Sequence, residues 1–248
     1  RLLKPVAGWV TAKCLADEDF GVRMYAARVL GHLGLICRVQ GDNAQALVYY
    51  NQALEVAREI GDKRGEGSRL GLIGSVYRSQ GEYDQAILYL TQAIELAQEL
   101  GDKRSEGMHL GILAGVYKIQ GAHAQAVAFY TQAIEILKAV GDTRNLGVNL
   151  GSLGTVYQSQ GEHSQAIAYI TQALDIAREI GDKRGEGTNL GNLGIVYQAQ
   201  GQIGQATASF VLALDIARDV GDKSGQGSHL GNLGNVYQAQ GAYEQAMV

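Results

Sequence analysis

The chain repeats itself every forty residues, and that period narrows the fold more than any other feature. The segment Leu70-Gly71-Leu72-Ile73-Gly74-Ser75-Val76-Tyr77 returns at Leu110–Tyr117, Leu150–Tyr157, Leu190–Tyr197 and Leu230–Tyr237. An earlier copy, Leu30–Cys37, carries Cys where the others have Tyr. A second segment keeps step with it as Gln45-Ala46, Gln85-Ala86, Gln125-Ala126, Gln165-Ala166, Gln205-Ala206 and Gln245-Ala246. A third, Gly61-Asp62-Lys63-Arg64, is echoed from Gly101, Gly141, Gly181 and Gly221. Self-similarity with a period of roughly 20–50 residues marks stacked supersecondary units, each too small to bury its own apolar face.

One period, residues 181–220, shows what the unit is. Asp182 follows Gly181 and can cap a helix, with Glu186 favoured in the first turns by the helix dipole. Leu190, Leu193, Val196 and Tyr197 then recur at helical spacing. Gly201 ends this helix, since glycine readily adopts the left-handed conformation found there. Ala206, Phe210, Ala213, Leu214 and Ala217 form the apolar face of a second helix, and Gly221 ends that one. No stretch shows strand-like alternation, so the chain is expected to be all-α. The expected divisions are a degenerate helix over 1–20, which holds Trp9 and Cys14, repeats over 21–60, 61–100, 101–140, 141–180 and 181–220, and a truncated repeat over 221–248.

The first helix of each copy is rich in glycine. Gly187, Gly191 and Gly194 would each cost about 1 kcal/mol relative to Ala in a helix interior. Packing must supply what propensity withholds, and small residues let helices approach closely.

Composition removes several function classes. The 248 residues include 34 Gly but only one Pro, Pro5, which suits helices punctuated by glycine. No apolar run reaches the ~18 residues of a membrane span, and no signal peptide is visible. A net charge of −4, with basic residues scattered through short loops, argues against nucleic acid. Cys14 and Cys37 read as reduced apolar residues without metal-ligand spacing. His109, His229, His123 and His163 have no cluster of ligands beside them and read as solvated side chains. Gly221-Asp222-Lys223-Ser224 lacks the glycine spacing of a phosphate loop, and Gly65 and Gly67 belong to a repeated helix start. No nucleophile, base and orienting group converge, so neither an enzyme, a cofactor nor a metal site is expected.

Leu190, Leu193, Gly194, Tyr197, Ala206, Phe210 and Ala213 fall at the spacings of the tetratricopeptide signature, and the match recurs in five copies. The chain therefore resembles the tetratricopeptide repeat family over about residues 22–248. It departs from the common pattern of ~34 residues in its longer period, in Leu where Trp is usual, and in lacking Pro after the second helix. The longer period resembles a subclass that includes a mitotic-spindle adaptor, the kinesin light chain and bacterial signalling proteins. The resemblance implies a right-handed superhelical solenoid of tandem antiparallel helix hairpins, with the first helices lining a concave groove.

Carried onto this sequence, the resemblance implies a partner-binding face made of Arg28, His32, Arg38, Arg78, Lys118, Gln158, Asn192, Gln198, Asn232, Asn235 and Gln238. Gly71, Gly111, Gly151, Gly191 and Gly231 would form its floor, where a ligand backbone could come close or a neighbouring helix could pack. Arg and Lys at the N-terminal end give way to Gln toward the C-terminus, so an acidic part of a partner, or its C-terminal carboxylate, is expected at the N-terminal end. The expected function is a non-catalytic protein- or peptide-binding scaffold, cytoplasmic, without nucleic-acid or membrane partners. Two alternatives stand beside it. One is the sensor or regulatory arm of a larger signalling protein, suggested by a chain that starts at Arg1 and stops at Val248 inside a helix. The other is self-association through terminal hairpins.

Overall fold

The computed structural model describes residues 19–239, and the expectations placed on Trp9, Cys14, Gln245 and Ala246 fall outside them. The described residues form helices joined by short connections, with no strand among them: α1 (Phe20–Val39), α2 (Asn43–Glu59), α3 (Lys63–Gln80), α4 (Tyr83–Glu99), α5 (Lys103–Ile119), α6 (His123–Ala139), α7 (Thr143–Ser159), α8 (His163–Glu179), α9 (Lys183–Ala199), α10 (Ile203–Asp219) and α11 (Lys223–Ala239). None of them is long and apolar enough to cross a membrane. The chain divides into two compact units, residues 1–121 and 122–248, so α1–α5 lie in the first and α6–α11 in the second.

The forty-residue period has a simple physical origin. Two 17-residue helices, such as α9 and α10, each followed by a three-residue connection, close one repeat. Every connection has a glycine at positive φ, from Gly41 (81°) to Gly221 (70°), and no other described residue type takes that conformation. A side chain there would carry the left-handed penalty of about 1–2 kcal/mol.

First and second helices are stabilised differently. The side chains of Asp62, Asp102, Asp142 and Asp182 cap α3, α5, α7 and α9, accepting from backbone N–H groups at 2.9–3.2 Å. Such a cap contributes about 1 kcal/mol. Among the second helices, α4, α6, α8 and α10 have no side-chain cap bond, and α2 is the exception, capped by Asp42, which accepts from the Gln45 N–H at 3.0 Å. The difference follows composition: the first helices carry the glycines and need terminal support, whereas the second are rich in Ala and Leu.

Ion pairs continue this support between consecutive helices. Glu186 accepts from Lys183 at 2.8 Å and from Arg178 of α8 at 3.0 Å. The hydrogen bond from Lys183 is the strongest influence on Glu186 and, with that from Arg178, holds its carboxyl below the ordinary value against the opposing effect of burial. Arg144 reaches Asp182 at 3.3 Å in the second unit, as Arg64 reaches Asp102 at 3.6 Å in the first.

Within hairpins, a glycine on the first helix receives the large side chain of the second. A Cβ on Gly194 would lie 2.6 Å from the Phe210 ring, and one on Gly154 would lie 2.5 Å from Ile170. Gly34 faces Tyr50 and Gly74 faces Leu90 in the same way. Tyr77 stacks on Tyr89 and Tyr157 on Tyr169, at centroid separations of 5.5 and 5.4 Å. In the first unit α3 packs on α5, and in the second α9 packs on both α7 and α11. No two second helices approach one another comparably within either unit. First helices therefore gather on one side of each unit and second helices spread on the other.

Candidate functional site

The first-helix side of each unit is open. In the first unit Arg28, Gly31, His32, Leu35, Arg69 and Leu72 line a cleft of about 360 Å³. The second unit has a cleft of about 300 Å³ where Thr188, Gly191, Asn192 and Ile195 of α9 and Ser228 and Asn232 of α11 meet, with Ile216 and Ala217 of α10 and the adjoining Val220 as a further wall. Arg28, His32, Asn192 and Asn232 are thus brought into clefts. Arg38, Asn235 and Gln238 are exposed on their helices, and Arg78, Gln158 and Gln198 are half-buried, but none of these lines either cleft. Lys118 is half-buried too. Burial, and then the charge of Arg78, push its amine below the ordinary value, so like charges adjoin on α3 and α5.

At three of the five expected floor glycines, protein occupies the space. A Cβ on Gly71 would lie 2.2 Å from the His109 ring. Gly151 faces Asn189, with its Cβ position 2.7 Å from the amide oxygen, and Gly191 faces His229 at 2.6 Å. Gly71, Gly151 and Gly191 are buried, Gly111 is half-buried and Gly231 is exposed. Gly71, Gly151 and Gly191 admit a side chain from the next first helix, whereas a Cβ on Gly231 would meet open space, and Gly191 also lines the cleft of the second unit.

His109 and His229 depart from the solvated state expected of them. They are only 8% and 9% exposed, and the Nδ1 of each is buried without a hydrogen-bond partner. The position they share is taken by Arg69, Asn149 and Asn189 in other copies. The one signal in the sequence is a variable side chain before an invariant Leu, Val29 in the first copy and polar in the five that follow. Burial lowers the pKa of both histidines, against the opposing charges of Asp102 and Asp222 respectively.

The sign of the pH effect follows. An unfolded histidine takes up a proton near pH ~6.5, before the folded one does. Stability is complete above that pH and declines as the pH falls toward the folded value. The urea midpoint should therefore drop between about pH 7 and 5, and His109→Asn with His229→Asn should flatten the drop. An unchanged slope in the double variant would remove the histidines as its cause.

The sequence model of the tetratricopeptide repeat family matches residues 25–99, 105–179 and 183–247. The chain belongs to that family. No curated protein sequence matches it. Among solved structures it is similar to BtubC (BKLC) from P. vanneervenii, with a TM-score of 0.72, 20% identity and coverage of 81% of this chain and 85% of that one. It is also similar to a signal transduction ATPase with numerous domains from Pyrococcus horikoshii that carries a tetratricopeptide repeat sensor, with a TM-score of 0.77 and 16% identity. That match covers 99% of this chain and 37% of the other. A Rap protein complexed with competence and sporulation factor is similar at a TM-score of 0.71 and 15% identity, over 98% of this chain and 77% of that one. At these identities the likeness carries the fold, a tandem array of helix hairpins.

Proposed function

We propose that the first-helix side of each unit binds a protein or peptide segment, as a non-catalytic scaffold. The observation carrying this is that the open clefts lie on that side and are lined by Arg28 and His32 in the first unit and by Asn192 and Asn232 in the second. Asparagine amides donate and accept, which suits a peptide backbone. The Rap protein named above, complexed with its factor, supports the reading.

The units differ in charge on this side. Arg38, Arg78 and Lys118 belong to the first, while Gln158, Gln198 and Gln238 occupy the matching positions in the second, and Arg28 of the first is matched there by Val148, Thr188 and Ser228. The first unit is assigned to an acidic stretch of the partner. Replacing Arg38, Arg78 and Lys118 together with Gln should weaken an acidic peptide by about tenfold at low salt, at 0.2–1 kcal/mol per exposed charge, and reduce the salt dependence. Fluorescence anisotropy with an acidic peptide and a neutral one measures both effects. Equal affinity for the two peptides, with no response to the substitutions, would overturn the assignment.

A second reading, the sensor arm of a larger signalling protein, is favoured by the likeness to the sensor-bearing ATPase. A nucleotide-binding or protease domain encoded beside the array would support it.

A further inference from the structure

Arg69 is a half-buried cation in the wall of the first unit that makes no ion pair among the described residues. It occupies the position of His109, Asn149, Asn189 and His229, so charge there is peculiar to the second copy. Its guanidinium lies over Gly31, where a Cβ would be 3.2 Å from Nε. Nη1 donates to Ser68 Oγ at 3.3 Å, and Nη2 donates weakly to the Ala27 carbonyl at 3.5 Å. Nε is buried and makes no hydrogen bond. Neither Arg69 nor Arg28 forms an ion pair among the described residues. Burial lowers the affinity of Arg69 for its proton, and Arg28 adds to this, while Asp62 and Tyr50 oppose it. A half-buried charge without an ion-pair partner is left partly desolvated, and an anion brought to it offsets that cost.

The cleft around Arg69 indicates what does. Arg28, Arg69 and His32 line it together with Leu35 and Leu72, and no carboxylate is among the lining residues. The Nδ1 of His32 donates to the Arg28 carbonyl at 2.9 Å, leaving Nε2 uncommitted. A carboxylate, with one charge and two oxygens, would satisfy one guanidinium. A phosphate monoester carries nearly two charges and three acceptor oxygens, enough for two guanidinium forks. The leucines provide an apolar wall for whatever carries the phosphate.

We propose that this cleft binds a phosphate monoester on an apolar or aromatic carrier, with Arg28 and Arg69 as the anion-binding forks. Where the first-helix side holds a peptide, the carrier is a phosphorylated side chain, and that clause rests on the function proposed above.

Calorimetric titration of the full chain with phenyl phosphate, inorganic phosphate and benzoate tests the proposal. Phenyl phosphate should bind at least tenfold more tightly than either of the others. Arg69→Asn installs the residue of the fourth and fifth copies, and Arg28→Ser that of the second and sixth, so both should fold, as circular dichroism would check. Each should weaken phenyl phosphate at least tenfold, whereas Lys138→Gln, exposed on α6 of the second unit and lining neither cleft, should leave it within twofold. If Arg69→Asn fails to fold, Arg28→Ser at an exposed residue gives the same reading. Equal binding of benzoate, equal binding of free phosphate, or full affinity in the cleft variants would each overturn the proposal. Loss of acidic-peptide binding with phenyl phosphate binding retained would instead count against the groove reading alone.

Discussion

Replacing Phe210 with Ala is expected to destabilise the chain by about 4 kcal/mol. The ring is fully buried and fills the space that Gly194 leaves open on α9. It also belongs to a cluster with Ala206, Leu214, Leu233 and Val236, so it joins hairpin α9–α10 to α11. Truncation removes contacts inside the hairpin and across to the next helix, and a backbone held by glycine on one side cannot collapse into the gap. Phe210→Leu should cost less than about 1.5 kcal/mol, because Leu90 fills the same position beneath Gly74. Urea denaturation measures both. Repeat arrays are stabilised by nearest-neighbour interfaces, so hydrogen exchange should accelerate in α10 and α11 before α7 and α8 respond. Uniform acceleration across the second unit would mean that it unfolds as one block.

The fold was legible because its signals are local. Asp182, four residues N-terminal to Glu186, and Gly201, two residues after Ala199, state where α9 starts and stops, whatever it packs against. The family resemblance, not a local signal, puts Arg28, His32, Asn192 and Asn232 on the expected binding face, and the clefts include them. Arg69, His109 and His229 were not legible in this way. Each acts on a glycine 38 residues earlier, on the preceding first helix, and nothing in its own neighbourhood announces that contact. A polar residue at that spacing looks solvated until the neighbouring repeat is laid beside it. The glycines left a choice for the complementary reason. Gly71 and Gly191 are compatible with a ligand backbone or a packed helix in one copy, and only the next copy supplies the ring that occupies the space. Periodicity therefore reveals the unit, while the interface between units depends on residues that vary from copy to copy.

Gly154→Val separates the two roles that glycine plays in these helices. At Gly154 a Cβ would lie 2.5 Å from Ile170 Cγ1, 3.1 Å from the Ala166 carbonyl oxygen and 3.2 Å from the Ile170 nitrogen. A side-chain neighbour could rotate away, but the two backbone atoms cannot move without shifting α8. Overpacking of this kind costs about 1–3 kcal/mol, and the upper end is expected here. Helix propensity returns only a few tenths of a kcal/mol for replacing Gly with Val, so the steric cost wins. Gly204 is the control. It lies in the first turn of α10, exposed, with nothing within 4 Å of a Cβ. Gly204→Ala should therefore stabilise the chain by about 0.5 kcal/mol. Opposite signs in urea midpoints would assign the glycines of the first helices to close packing. Two stabilising substitutions would instead mean that α7 and α8 have room to spare, and the account of why the first helices tolerate so much glycine would fail with them.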